Sequence, residues 1–436
     1  MYAKLSRVAR MLTPSPIQEL SQLAQRIGAI NLAEGFPDFP APPDFKAAAV
    51  SAINSDFNQY RHVQGICELV EAKMKRDHGL QINPLTDVVI SCGQTEAFAA
   101  SIFAVIDHGD EVLLFDPAYE TYGPCISLAG GIPVYVPLDP PYWTFDVEKL
   151  KKSFTSRTKA VVLNSPHNPT GKVFTKGELE AIAEACRSRD CICITDEVYE
   201  YITFDIHNHV SISSLHGMQE RTIITSSLSK TFSVTGWRIG WSCAPSNIAS
   251  AIRNIHIKIT DSAPAPFQEA ALTALRSSPE YFKSLRTVSS CFDALAIYAG
   301  NYFQLSCRTI KLQIHIFYLG MRWKSYEARR DNAVETLSGL GFRIQFRPQG
   351  SFFLFAELPQ SWLHSDVDFV RELIKKGGVA AVPGCGFFHN SSNNETKYYN
   401  RFVRFAFCKS DETLAAAAQR IRELEIIGDK GLLKKL

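Results

Sequence analysis

Lys230 stands in the run Ser226-Ser227-Leu228-Ser229-Lys230-Thr231, and Gly236-Trp237-Arg238-Ile239-Gly240 follows a few residues on. A lysine withdrawn from water loses its charge readily, because desolvation disfavours the ammonium form. The neutral amine can then condense with an aldehyde to a Schiff base. The neighbouring hydroxyls and the guanidinium of Arg238 suit a phosphate, which wants several donors and a fixed positive charge. An aldehyde that carries a phosphate is pyridoxal phosphate. On this segment alone, a serine-rich turn with Lys230 in solvent reads equally well, since such turns are common.

Two further segments favour the chemical reading. Pyridoxal phosphate needs an acid opposite its ring nitrogen, so that the ring stays protonated and withdraws electrons. Cys191 to Thr195 is a short apolar run that reads as a buried strand, and it ends in Asp196-Glu197-Val198-Tyr199. An acid at the carboxyl end of such a strand lies where open α/β sheets bind ligands. Tyr199 is close enough along the chain to reach the ring's phenolic oxygen. Val161 to Asn164 reads as another strand, followed by Ser165-Pro166-His167-Asn168-Pro169-Thr170-Gly171. Two prolines and a glycine there fix the backbone and aim the Asn168 amide. Taken singly, each segment is also an ordinary turn.

In this order and spacing, Asn168-Pro169-Thr170-Gly171, Asp196-Glu197-Val198-Tyr199 and Ser227-Leu228-Ser229-Lys230 with Gly236-Trp237-Arg238 resemble the class I/II aminotransferases of fold type I. The likeness is greatest to the kynurenine aminotransferase, glutamine transaminase K and cysteine-conjugate β-lyase group, and it runs from about Ser15 to Glu425. The resemblance implies an α/β fold with two domains. A mainly parallel seven-stranded sheet covered by helices forms the large one, and the other is a smaller α+β domain. It implies that Lys230 carries the cofactor and that Asp196 pairs with the pyridine nitrogen. Asn168 and Tyr199 would bond the phenolic oxygen, and Ser227 and Arg238 the phosphate. Gly93-Gln94-Thr95 opens an apparent helix after the strand Asp87 to Ser91, and free amides at a helix start bind anions. Tyr119 matches the aromatic that stacks on the ring. Tyr60 matches a residue that reaches the phosphate of the other subunit of a homodimer. Arg404, in the alternating run Phe402 to Phe407, matches the clamp on the substrate α-carboxylate, for which a guanidinium fork is suited. Gly35 matches the turn whose amide meets the same carboxylate. Ala33-Glu34 departs from the Gly-Gln common before that glycine.

The 436 residues are too many for one simple core and suit two lobes. A net charge of +2 gives no reason to expect nucleic acid or an acidic membrane surface. The eleven cysteines show no metal spacing. Cys191 and Cys193 alternate along one strand, so they share a face and are poorly placed for a bridge. Neither disulfides nor a metal is expected. A reducing compartment, the cytoplasm by default with an organelle as the alternative, follows. Lys4, Arg7 and Arg10 are too few to signal a transit peptide, and no apolar run reaches membrane-spanning length.

The elements that must position these residues alternate between strand and helix from about Phe45 to Asn254, which predicts a parallel sheet covered on both faces. Pro264 to Arg286 predicts one long helix. The expected units are an N-terminal arm (1–43) packed with the small domain, a large cofactor domain (44–286), an atypical insertion (287–323) and a small C-terminal domain (324–436). In the family one helix would join Arg286 to Lys324. Thr287 to Trp323 has no counterpart there; it is apolar, with only Asp293, Arg308, Lys311 and Arg322 charged and β-prone runs such as Ile314 to Tyr318. It reads as translated non-coding sequence, against the alternative of a genuine surface insertion.

The expected activity is transfer of an amino group from an aromatic or kynurenine-type amino acid, methionine or glutamine to a 2-oxo acid. Two rivals stand beside it: a carbon–sulfur β-lyase on the same scaffold, and a splice product with impaired catalysis.

Overall fold

Strands buried on both faces read as continuous apolar runs, and the segments around Leu113, Val161 and Ile194 are of this kind. In the structure, a computed structural model, they form the middle of one sheet. The structure describes residues 16–60, 64–278, 326–389, 398–427 and 432–435, with 4, 6, 9, 10 and 281 besides. The expected insertion 287–323 lies outside the described residues.

After the helix Pro16–Arg26 comes the short strand β1 (Ile30–Asn31). The main sheet then takes β2 (Val88–Ser91), β3 (Glu111–Asp116), β4 (Ile132–Pro137), β5 (Thr158–Asn164), β6 (Ile192–Asp196), β7 (Thr222–Ser227) and β8 (Gly240–Cys243). Its spatial order is β2-β8-β7-β6-β5-β3-β4. Every pairing is parallel except those of β8, which runs against both β2 and β7. The strand order reverses about β3, which lies between β4 and β5. Open sheets of this kind bind ligands beyond the carboxyl ends of their strands, near such a reversal.

Side chains alternate across each strand. Val112, Leu114, Ala160, Val162 and Ile194 pack on Phe98 and Ile102 of the helix Gln94–Val105. Leu113, Val161, Leu163 and Cys193 pack on the other face with Leu179, Ile182 and Cys186 of the helix Lys176–Ser188. Cys191 and Cys193 share that second face, and both are free thiols. The helix Lys176–Ser188 starts at a capping box: Thr175 Oγ1 accepts from the Glu178 amide, and Glu178 returns a carboxylate oxygen to the Thr175 amide at 2.8 Å.

A second sheet, β9 (Phe353–Glu357), β11 (Val382–Pro383) and β12 (Phe402–Ala406), is antiparallel in the order β11-β12-β9. Beside it, β10 (Val379–Ala380) pairs with β1 in parallel, Ile30 against Val379. The Leu32 amide bonds Ala380 O at 2.9 Å, and Leu32 O accepts from the Ala406 amide at 2.7 Å. The segment after β1 is thereby held against the end of β12.

One expectation needs correction. The helix expected from Pro264 to Arg286 ends at Leu275, and residues 276–278 are not helical. Ser277 and Ser278 precede Pro279, and the residue before a proline is pushed out of the helical region. The apolar run from Val379 to Pro383 is divided between two sheets, β10 beside β1 and β11 beside β12. Among the described residues, no helix is long and apolar enough to cross a membrane.

Candidate active site

The register of the main sheet sets the site. Asn164 is paired with Asp196, and Asp196 with Thr225. Ser91 and Ser227 both face Gly240. The segments that leave β2, β5, β6 and β7 therefore emerge side by side at one end of the sheet.

Lys230 sits in the turn after β7. Its Nζ donates to Gly35 O at 2.8 Å and lies 5.9 Å from the centre of the Tyr199 ring and 5.7 Å from that of Phe352. Desolvation lowers its pKa from 10.5 to about 8; Cys408 and Asp196 oppose that fall, while Arg404 and Arg238 add to it. A free amine is therefore accessible near neutral pH.

Asp196 is buried at the end of β6. Tyr122 Oη donates to its Oδ2 at 2.7 Å, and the Val198 amide to its Oδ1 at 3.3 Å. Burial pushes the carboxyl up to about 6, against the pull of Tyr122, the Val198 amide and Lys230. Among the described residues no arginine or lysine forms an ion pair with it. A buried acid without an ion-pair partner fits a cationic ring nitrogen. Asn164 ties two strand ends together: its Nδ2 donates to Asp196 O at 3.0 Å, and its Oδ1 accepts from the Asn168 amide at 2.7 Å.

On the other side lie Gly93, Ser227 and Arg238. Gly93 has φ +82°, and a Cβ there would stand 2.3 Å from Arg238 Nη2. A Cβ on Gly240 would stand 2.4 Å from the Gly93 carbonyl carbon. Arg238, itself left-handed at φ +56°, donates to Thr235 O and Cys92 O, both at 3.1 Å. Its guanidinium keeps further donors beyond these two. Ser227 Oγ, buried, accepts from the Ser229 amide at 3.3 Å. The turn is thus a glycine cradle beneath a guanidinium at a helix start, which fits a phosphate. The Gln94 side chain points elsewhere, donating to Thr225 Oγ1 at 3.2 Å, and Thr95 is exposed.

Arg404 leaves β12 buried. Its Nη1 donates to Asn168 Oδ1 and its Nη2 to Ala33 O, each at 2.9 Å. The guanidinium lies 4.1 Å from the Phe353 ring centre and 4.8 Å from that of Phe387, and its Nε is buried without a partner. A buried donor left over is costly unless a ligand takes it up. Gly35 lies against Phe353, whose ring would be 2.3 Å from an added Cβ. Tyr199 is buried and edge-on to Phe352 and Phe353; burial and the Asp196 charge raise its pKa well above the ordinary value. Tyr119 is half-buried and edge-on to Tyr122 at 5.5 Å.

The structure thus brings together Gly35, Gly93, Tyr119, Asn168, Asp196, Tyr199, Ser227, Lys230, Arg238 and Arg404. The side chains of Gln94 and Thr95 lie outside this group, and so does Tyr60, which is 77 % exposed and makes no described contact with the others. Tyr122 and Asn164 were not among the residues the motifs singled out. The signal for Asn164 was its place at a strand end beside Asp196. The signal for Tyr122 was weaker: a buried tyrosine needs a partner for its hydroxyl.

Behind this cluster, on the same loop as Asp196, lies a buried ionic network. Lys73 Nζ is 2.6 Å from Glu200 Oε2, and His78 Nε2 is 3.3 Å from the same oxygen. Glu197 is 2.9 Å from His209 Nε2 and accepts from Ser211 Oγ at 2.8 Å. The ligand-capable atoms of His78, Glu197 and His209 lie within 4.8 Å of one another. Lys73 supplies the positive charge beside Glu200, so the group acts as an ionic brace. It ties the helix Gln64–His78 to residues 197–201. A separate cavity of about 590 Å³, lined by Trp143, Arg343, Phe355, Trp362, Arg401 and Phe402 among others, contains none of the site residues.

Comparison with known proteins agrees with this geometry. Residues 27–421 match the family described as aminotransferase class I and II. The chain is 36 % identical to a probable N-succinyldiaminopimelate aminotransferase of Mycobacterium tuberculosis, over 93 % of this chain and 95 % of that one. It is 33 % identical to human kynurenine–oxoglutarate transaminase 1, over 94 % of this chain and 96 % of that one. The solved structure of the Mycobacterium tuberculosis N-succinyldiaminopimelate aminotransferase superposes with a TM-score of 0.83 at 34 % identity, covering 96 % of this chain and 99 % of that one. An Escherichia coli methionine aminotransferase structure superposes with a TM-score of 0.82 at 31 % identity and the same coverage. A lysine, an acid and a guanidinium gathered at the carboxyl end of a mainly parallel sheet, together with a family match across most of the sequence, make this chain a member of the class I and II aminotransferases.

Proposed function

We propose that this aminotransferase holds pyridoxal phosphate at the carboxyl end of the main sheet and uses it to move an amino group from an aromatic, kynurenine-type, sulfur or glutamine-type amino acid to a 2-oxo acid. The observation that carries the reading is that Lys230 and Arg404 both bond one turn, through Gly35 O and Ala33 O. An amino acid whose carboxylate lay on Arg404 would present its Cα toward Lys230.

The cofactor, when bound, supplies the electron sink that makes the α-proton acidic. Gly93, Ser227 and Arg238 would bind its phosphate, and Asp196 would keep a proton on its ring nitrogen. Tyr199 and Asn168 would donate to its phenolic oxygen, and Tyr119 would cover one ring face. Lys230, neutral once its proton is lost, would take the α-proton and return it at the cofactor's former aldehyde carbon, across the nitrogen. A positioned base of this kind contributes roughly 10²–10⁴-fold. Arg404, oriented by Asn168, would bind the α-carboxylate. Phe352, Phe353 and Phe387 would exclude water around it, which strengthens the ion pair. Phe36, Tyr119 and Phe353 near the crevice favour an apolar or aromatic donor. The names of two relatives, a kynurenine and a methionine transaminase, point the same way.

The working form is a homodimer in this reading, with Tyr60 reaching the partner's phosphate. The functional units are the arm 1–43, the large domain 44–286 and the small domain 324–436. The nine free cysteines among the described residues support a reducing compartment such as the cytoplasm.

The test is a donor panel on purified protein reconstituted with pyridoxal phosphate. It sets phenylalanine, kynurenine, methionine, glutamine and N-succinyldiaminopimelate against several 2-oxo acids. Exchange with the aromatic or sulfur donors is expected. Release of pyruvate and ammonia from a cysteine conjugate, without exchange, would make the protein a β-lyase instead.

A further inference from the structure

The strongest polar contact to Asp196 comes from a residue that the motifs did not mark. We propose that Tyr122 is a positioning residue for amino transfer: its phenol proton pins one oxygen of Asp196, fixing the carboxylate's rotation and keeping it anionic where the cofactor's ring nitrogen is to be met. This rests on the reading of Asp196 as the ring-nitrogen partner.

The geometry carries it. Tyr122 opens the helix Tyr122–Leu128 directly after β3, and its Oη is 2.7 Å from Asp196 Oδ2. The ring is clamped between Phe98, 4.8 Å away, and Tyr119, 5.5 Å away, so the hydroxyl has one place to be. Both partners are buried. Burial and the Asp196 charge hold the phenol pKa well above its ordinary value. Tyr122 therefore keeps its proton at any working pH, and the Asp196 carboxylate, while ionised, accepts it. Asp196 Oδ1 takes the Val198 amide. A carboxylate offers about four lone-pair positions, so two protein donors leave room for a ring N–H.

The electrostatic surroundings make the contact consequential. Lys230 favours the anion from the turn after β7, Glu197 opposes it from the same loop, and the Tyr119 and Tyr199 hydroxyls lie nearby. Burial pushes the Asp196 midpoint up to about 6, within reach of working pH. Tyr122 is the first of the groups that pull it down. Without that donor the carboxyl would hold its proton to higher pH, and a protonated Asp196 cannot keep the ring nitrogen charged.

The apoprotein offers a test free of the cofactor. With aspartate labelled by ¹³C at the side-chain carboxyl, the Asp196 signal is identified by its loss in Asp196→Ala. Tyr122→Phe is expected to raise its midpoint by about one pH unit, a tenfold change in the ionisation constant. An unchanged midpoint overturns the proposal. Fluorotyrosine placed at 122 keeps the ring's shape with a more acidic phenol. It should move the midpoint down, and it serves where Tyr122→Phe folds poorly.

In the holoenzyme, Tyr122→Phe should shift the acid limb of the kcat profile upward by a similar amount. It should cost nothing further in the Asp196→Ala background. An equal cost in both backgrounds would reduce Tyr122 to packing. The ¹⁵N shift of labelled cofactor separates the two readings: if Asp196→Ala leaves the ring nitrogen protonated, the assignment of Asp196 fails. If Asp196→Ala deprotonates it and Tyr122→Phe changes neither that signal nor the pH limb, only the role of Tyr122 fails.

Discussion

Arg404 Nη1 donates to Asn168 Oδ1 at 2.9 Å across 236 residues of sequence. Arg404 belongs to the small antiparallel sheet, and Asn168 to the turn after β5 of the main one. This hydrogen bond, with that to Ala33 O and the rings of Phe353 and Phe387, sets how the guanidinium from one sheet faces the residues that leave the other.

Replacing Arg404 by Lys keeps the charge and removes the fork. An ammonium cannot bond Asn168, Ala33 O and both oxygens of a carboxylate together. Losing one charged hydrogen bond costs about 1.5–3 kcal/mol, so kcat/KM for an amino acid should fall roughly 10- to 100-fold. Steady-state kinetics with an amino acid and with the matching amine, which lacks the carboxylate, checks the cause. Equal losses for both donors would remove the carboxylate from Arg404.

Lys230→Ala should abolish both amino-group exchange and any borohydride-reducible cofactor adduct. Persistence of that adduct, seen by mass spectrometry, would move the attachment to another amine. In the apoprotein, acylation of Lys230 should rise through about pH 8 rather than 10.5. The sign for stability follows. A lysine depressed on folding contributes stability present above its unfolded pKa and lost as pH falls through the folded one. Apoprotein carrying Lys230→Met should therefore gain in melting temperature over wild type as pH drops from about 10.5 to about 8. A constant difference across that window would contradict the shift.

Much of this site could be read from the sequence because its residues sit at the ends of apolar runs. Asp196, Asn164 and Ser227 each close a strand, and a strand's end is visible as the place where the hydrophobic run stops. Strand direction is not visible in this way. The short run of β8 looks like its neighbours, yet it lies antiparallel between β2 and β7. Tyr122 escaped notice because its partner is on another strand, and spacing along the chain carries no such pairing. The apolar pattern from Pro264 runs on past Leu275, where the helix ends, because the residue before Pro279 is disfavoured in a helix. Tyr60 lies outside the cluster, on the surface.

Gly93 joins backbone conformation to the phosphate cradle. Gly93→Ala would force a Cβ at φ +82° to within 2.3 Å of Arg238 Nη2. With ψ at 173°, this backbone lies in a region occupied almost only by glycine, and holding a residue with a Cβ there costs about 1–3 kcal/mol. Arg238 would also have to move off Cys92 O. The variant should retain pyridoxal phosphate more weakly by at least about tenfold, or roughly 1.4 kcal/mol. Cofactor dissociation followed by absorbance tests this, and wild-type retention would show that the cradle tolerates a side chain.

The brace beneath Asp196 makes the last prediction. Glu200 is buried with Lys73 Nζ at 2.6 Å, and Lys73 has Asp77 at 3.3 Å as well. Burial alone would raise the Glu200 carboxyl, but Lys73 and His78 hold it at about 2, below its ordinary 4.5. Removing one member of a buried pair leaves the other charge uncompensated, at a cost of about 3–5 kcal/mol. Glu200→Gln should therefore lower the unfolding free energy by that order, less whatever Asp77 recovers by keeping Lys73 paired. A carboxyl depressed on folding contributes stability above its unfolded pKa and loses it as pH falls through the folded one. The gap between wild type and variant should thus be full above about pH 4.5 and close toward about pH 2. Denaturant unfolding at several pH values measures it. Because Glu200 lies four residues beyond Asp196, the variant should also lower kcat more than it weakens cofactor binding. A stability loss with unchanged kcat would confine the brace to the fold and leave Asp196 positioned by Tyr122 and Val198 alone.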